Sequence, residues 1–158
     1  MGDLAAIFKA YDVRGLAPGE FDPPMARRIG AAFARLMADE DATVRRVLVA
    51  RDMRATGVEL VAAFAEGVCG QGLDVIDLGL ASTDLLYFAA GSLDAPGAMF
   101  TASHNPAQYN GIKFCRSGAR PVGEESGLFT VRDLAEAGVP DGPSVGTVTH
   151  QDLLGAFA

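Results

Sequence analysis

Two short apolar runs, each preceded by a segment of helical period, constrain this chain more than anything else in it. Val44 to Ala50 is β-branched and apolar, centred on Val47, Leu48 and Val49, and reads as a buried strand. Leu73-Asp74-Val75-Ile76-Asp77-Leu78 reads as a second core strand. Ahead of the first lie residues 22–39, where Met25, Ile29, Ala32, Phe33, Leu36 and Met37 recur at helical spacing. Asp22 is placed to cap that helix and Pro23 takes its first position. Arg27, Arg28 and Arg35 fall on its other side and are expected in solvent. Between the two runs, Val58, Val61, Ala62, Ala65 and Val68 share a helical face over residues 56–71, and Gly72 suits the stop. Strands alternating with helices predict an α/β fold.

The chain has 158 residues, enough for one domain with an adequate core. It holds no apolar run of about 18 residues, so no transmembrane helix is expected. Met1-Gly2-Asp3-Leu4 lacks the basic start of a secretory signal. Cys69 and Cys115 stand alone in apolar surroundings and read as buried thiols of a reducing compartment, which points to the cytoplasm. The formal net charge of -7 argues against nucleic acid and anionic membrane as partners. An anionic ligand then needs a local basic patch. The chain has two lysines, Lys9 and Lys113, both in motif-like stretches, and arginines 14, 51, 54, 116 and 120 near strand ends or loops.

The polar segment Thr101-Ala102-Ser103-His104-Asn105-Pro106 carries the chemistry. Gly97-Ala98-Met99-Phe100 leads into it and Ile112-Lys113-Phe114-Cys115 leads out. Two apolar runs around a loop of small hydrogen-bonding residues present one hydroxyl, that of Ser103, on a rigid base. Pro106 stiffens the loop exit, and Asn110-Gly111 reads as a tight-turn pair that aims Lys113 back along the next strand. A hydroxyl, an imidazole, two carboxamides and an ammonium in one segment suit phosphoryl transfer, where positioning and charge neutralisation dominate. A capped polar loop without chemistry is the competing reading. A serine hydrolase fits less well: His104 neighbours Ser103 in sequence and so points elsewhere, and no Gly-x-Ser-x-Gly elbow is present.

Thr-Ala-Ser-His-Asn-Pro followed by Tyr-Asn-Gly-Ile-Lys resembles the phosphoserine loop of the α-D-phosphohexomutases, the phosphomannomutases and phosphoglucomutases. Phe8-Lys9-Ala10-Tyr11-Asp12-Val13-Arg14-Gly15 is similar to that family's N-terminal signature, and Arg51-Asp52-Met53-Arg54 to the Arg-Asp-x-Arg turn after its first core strand. The family's Gly-Leu-x-x-Thr-Pro segment is matched at Gly79 to Thr83, with Asp84 replacing the proline. The resemblance implies that Ser103, as phosphoserine, gives its phosphoryl group to a hexose 1- or 6-phosphate and takes the other back from the bisphosphate. It implies Lys113 and Arg14 as stabilisers of the transferring group and His104 as an aid to substrate or proton transfer. Asn105 and Thr101 would support the loop, Tyr11 and Arg51 would reach substrate or phosphate, and Asp12 and Asp52 would be structural. Of the turn's two arginines, Arg51 is expected to matter more than Arg54.

A Mg²⁺ ion would bind the Ser103 phosphate. One serine phosphate offers too few oxygens for octahedral Mg²⁺, so further carboxylates are required, and the resemblance implies that they come from a second domain. Hexose 1,6-bisphosphate is the expected activator, and the remaining domains of the same enzyme are the expected partners. No stretch resembles the family's metal, sugar or C-terminal phosphate loops. The resemblance thus implies a three-layer αβα domain with a mixed, mostly parallel sheet, the first of four domains, residues 1–147, with 148–158 starting a helix toward the second; His150 reads as an ordinary surface residue. By itself it is expected to be inactive. Two other classes stay open: a non-catalytic phosphosugar-binding or regulatory module, and a small serine phosphotransferase or hydrolase.

Overall fold

The computed structural model describes residues 3–123 and 126–152. Seven strands build one sheet: β1 (Val13–Leu16), β2 (Arg46–Arg51), β3 (Asp74–Leu80), β4 (Gly97–Phe100), β5 (Tyr109–Arg116), β6 (Arg120–Pro121) and β7 (Val148–His150). The order is β1-β5-β4-β2-β3-β7, with β6 also on β5. β4, β2, β3 and β7 pair in parallel. β5 is antiparallel to β1, β4 and β6, so it alone among these strands runs against the rest. The sheet is therefore mixed and mostly parallel, as the family resemblance implies.

Strand alternation sorts the side chains into two cores. Val47 and Val49 of β2, Ala98 and Phe100 of β4, and Ile112 and Phe114 of β5 face one side. There they meet α1 (Pro23–Glu40), α2 (Gly57–Gly70) and α4 (Leu128–Ala137). Leu48, Ala50, Met99 and Cys115 face the other side, against α3 (Thr83–Ser92). This is the expected three-layer αβα arrangement. The larger core centres on phenylalanines. Phe33 of α1 stacks on Phe114 with centroids 4.5 Å apart, and Phe64 of α2 meets Phe100 edge-on at 5.3 Å.

Helix starts follow the local signals. The Asp22 carboxylate accepts from the Met25 N–H at 3.0 Å, and Ser82 Oγ accepts from the Leu85 N–H at 3.1 Å, so the start of α3 survives without the family's proline. α1 and α2 cross at two glycines. A Cβ on Gly30 would overlap the Phe64 carbonyl, and one on Gly67 the Arg27 carbonyl. Arg28, expected in solvent, instead reaches α4 and donates to the carbonyls of Ala135 at 2.9 Å and Glu136 at 2.6 Å. Those last-turn carbonyls lack helical partners, which is why a cation from another helix is drawn there.

Two further expectations are corrected. Asn110-Gly111 is no turn. Both residues lie within β5, with Asn110 opposite Gly15 and Gly111 opposite Arg14. Nor does a helix start near His150: Val148–His150 pairs with Val75–Asp77 of β3. β-branched Val148 and Thr149 suit a strand, and the pairing covers the backbone edge of β3. The rest of that expected helix, residues 153–158, falls outside the described residues. His150 is exposed there, 3.6 Å from Asp77.

Cys69 and Cys115 are both buried and free, as the sequence implies. Burial pushes the Cys115 thiol from its ordinary 9.0 up to about 11. A raised pKa means that the folded state holds the proton more tightly than the unfolded one. The associated stability is present in full below about pH 9 and is lost as pH rises toward 11. Urea melts of Cys115→Ser against the parent at pH 8 and 10.5 test this. The parent is expected to lose more stability between the two; equal losses would refute the assignment.

Candidate functional site

The C-terminal ends of β2 and β4 carry the residues that the sequence singles out. This is the rim where open α/β sheets place ligands. From β4 the chain runs through Thr101 to Asn105 and returns in β5, its direct neighbour. From β2 it runs into Arg51-Asp52-Met53-Arg54, and the two loops lock together. The Asp52 N–H donates to the Phe100 carbonyl at 3.0 Å. The buried Thr101 hydroxyl donates to Asp52 Oδ2 at 2.7 Å and accepts from the Ser103 N–H at 3.0 Å. Asp52 thus holds the loop.

Arg54 is the residue whose weight the sequence understates. Its side chain is 5% exposed. Nε donates to Asp52 Oδ2 at 3.1 Å. Nη1 donates to the carbonyls of Pro106 at 2.6 Å and Tyr109 at 3.1 Å. Nη2 donates to those of Ser103 at 2.8 Å and Asn105 at 2.9 Å. Arg51 makes one long bond, 3.5 Å, to the Asp52 carbonyl, and its aliphatic stem lies against Gly57. Of the two arginines, Arg54 is thus the one tied to the loop. The signal available beforehand was weak: an arginine two residues after an aspartate can close a small ion-paired turn anywhere. That it reaches four carbonyls some 50 residues away is a tertiary fact.

Ser103 is exposed at the tip, and its backbone is left-handed, φ 55°. Serine adopts that region rarely and at some cost. His104 is also exposed and has no hydrogen-bond partner among the described residues. Asn105 is tied twice: its N–H donates to the Ala102 carbonyl at 3.0 Å, and its Oδ1 accepts from Arg14 Nη1 at 3.0 Å. Arg14 also pairs with buried Asp12 at 2.7 Å, so Asp12 orients it as expected. The buried Asn110 amide donates to Thr56 Oγ1 at 3.0 Å, joining β5 to the start of α2.

Ser103, Thr101, Asn105 and Arg14 are thus one hydrogen-bonded group. Lys113 and Tyr11 are not bonded to it. They line an open cavity of about 580 Å³ with Tyr87 and Ser126, and Tyr11 is 80% exposed. Arg51 lines a separate groove with Asp77 and His150.

The donor set does not make a Mg²⁺ site. Among the described residues no three His, Cys, Asp or Glu side chains converge. The loop's own carboxylate, Asp52, is committed to Thr101 and Arg54. No step is therefore assigned to a metal held by this chain. Among the described residues no helix is long and apolar enough to cross a membrane.

Known proteins share this fold. Residues 5–137 match the family described as phosphoglucomutase/phosphomannomutase, alpha/beta/alpha domain I. The chain is 40% identical over 130 residues to a phosphomannomutase of Vibrio cholerae, covering 82% of this chain and 28% of that protein. It is 39% identical over 130 residues to a phosphomannomutase of Klebsiella pneumoniae, covering 80% of that protein. A crystal structure of a phosphoglucomutase/phosphomannomutase family protein from Burkholderia thailandensis superimposes with a TM-score of 0.87 at 32% identity. The match covers 99% of this chain and 35% of that one. The first curated relatives are thus more than three times as long as the stretch they share with this chain.

Proposed function

The chain belongs to the phosphoglucomutase/phosphomannomutase family, with the fold of its alpha/beta/alpha domain I, and on that footing we propose that Ser103 is the phosphoryl carrier of a phosphohexomutase. The observation that carries this reading is the build of the loop. One hydroxyl stands exposed on a backbone clamped from below by Arg54, Asp52 and Thr101 and from the side by Arg14. Such rigidity suits a reaction whose catalysis is mostly positioning.

In the proposed reaction the bond between Ser103 Oγ and phosphorus breaks. A new bond forms between phosphorus and the free 1- or 6-hydroxyl oxygen of a hexose phosphate. The hydroxyl proton is taken up nearby, with His104 assisting, and Ser103 Oγ regains a proton. The resulting bisphosphate turns over and returns its other phosphoryl group to Ser103 by the same exchange. Arg14 and Lys113 offset charge on the transferring group, and Tyr11 and Arg51 contact substrate. Mg²⁺ ligands and the groups that read the sugar are assigned to parts of the protein outside this chain, which spans 28% of relatives such as the Vibrio protein. This chain alone is accordingly expected to show negligible mutase turnover. The buried free thiols support a cytoplasmic setting.

Intact-mass measurement and peptide mapping of residues 97–116 test the carrier, before and after incubation with hexose 1,6-bisphosphate and Mg²⁺. Phosphate is expected on Ser103 in the parent and on no residue of the loop in Ser103→Ala. Phosphate retained in Ser103→Ala, or none taken up by the parent, would sink the assignment for this chain. Sustained conversion of a hexose 1-phosphate by the chain alone would show the expected inactivity to be wrong.

A further inference from the structure

We infer that Arg54 is a positioning residue for phosphoryl transfer at Ser103, acting by fixing the loop backbone rather than by touching substrate. This rests on the carrier reading above, but the geometry behind it is separate. A guanidinium has five N–H groups in a fixed fork. At Arg54 they meet Asp52 Oδ2 and the carbonyls of Ser103, Asn105, Pro106 and Tyr109, at 2.6 to 3.1 Å. The side chain has no donor left for a ligand, and at 5% exposure it has no path to one. Three of the carbonyls, those of Ser103, Asn105 and Pro106, lie in the irregular segment between β4 and β5, and the fourth, that of Tyr109, opens β5. For Ser103 and Asn105 in particular, Arg54 supplies the acceptor's partner that a strand neighbour gives elsewhere.

The bonds also orient the peptide units. In a planar trans peptide the N–H points opposite to the C=O. Drawing the Ser103 and Pro106 carbonyls onto Arg54 therefore turns the N–H groups of His104 and Ala107 away from it. Arg54 thereby fixes the carbonyl of the left-handed Ser103 and with it the path of the loop. Lysine cannot do this: it is a point charge with three donors and no fork.

The test uses Arg54→Lys and Arg54→Ala in the full chain. Folding is followed by circular dichroism and by amide protection in β2, β4 and β5. Loop order is read from ¹⁵N order parameters of Ser103, His104 and Asn105. Phosphate uptake by Ser103 is timed with hexose 1,6-bisphosphate and Mg²⁺. The parent loop is expected near 0.85, and both variants below about 0.6 with the sheet amides still protected. Maximal uptake rate is expected to fall about 100-fold, with the half-saturating bisphosphate concentration unchanged. Methylguanidinium is expected to restore order and rate to Arg54→Ala and to leave Arg54→Lys unaltered. A loop equally ordered in parent and variants would overturn the inference. So would unfolding of both variants, since Arg54 would then hold the fold and not the loop. A parent that takes up no phosphate would count against the carrier reading, and the order parameters would still decide on Arg54.

Discussion

Gly67→Ala is expected to destabilise the protein by about 3–4 kcal/mol, at the upper end of what overpacking costs. For a chain of this size that lowers the melting temperature by roughly 10 °C. Helix propensity alone predicts the opposite sign, because alanine gains about 0.5–1 kcal/mol over glycine in a helix interior. The crossing of α1 and α2 decides the matter. A Cβ at Gly67 would overlap the Arg27 carbonyl and come within 2.8 Å of the Ala31 nitrogen. Backbone is less able to yield than a side-chain end, so the helices must separate. Separation would loosen Phe33 and Phe64 and with them the ring cluster over the sheet. Gly91→Ala in α3, where nothing lies within 4 Å, is the control and should be neutral or slightly stabilising. A Gly67→Ala protein that melts with Gly91→Ala would remove the crossing argument.

Gly111→Ala is expected to cost a comparable amount and to reach the site. A Cβ there would overlap the Val13 carbonyl of β1 and lie 3.0 Å from the Thr101 carbonyl. The clash pushes β1 away from β5, and β1 carries Arg14, the arginine that holds Asn105. It also presses on Thr101, whose hydroxyl joins Ser103 to Asp52. Hydrogen exchange is the measurement: amides of Val13 to Leu16 and of Thr101 to Asn105 should lose protection together, while those of β2 and β3 keep it. Loss confined to one of the two segments would show that β1 and the serine loop are not coupled through this glycine.

Much of this was legible in the chain itself. The Asp22-Pro23 start of α1, its apolar stripe, and the strands over Val47–Val49 and Val75–Ile76 are local signals, and local signals survive folding when nothing tertiary opposes them. The serine loop was legible because apolar strands bracket it. Other readings needed contacts that spacing does not encode. Asn110-Gly111 has the composition of a turn, yet the glycine is there so that β1 and Thr101 can approach β5 closely. Arg28 belongs to the polar side of α1 by period, yet the last turn of α4 lies within its reach. Arg51 and Arg54 look alike in sequence. Only the position of the β4–β5 loop above the second makes it the tether.

The left-handed turn at Ser103 bears on how the protein tolerates change. A side chain in that region costs about 1–2 kcal/mol relative to glycine. The fold would therefore be firmer with no Cβ at its tip, and selecting variants for heat resistance alone would drift toward Ser103→Gly. Thermal tolerance and a retained hydroxyl pull in opposite directions at this one residue. A screen for sturdier forms of this domain has to hold position 103 fixed and seek its gains elsewhere.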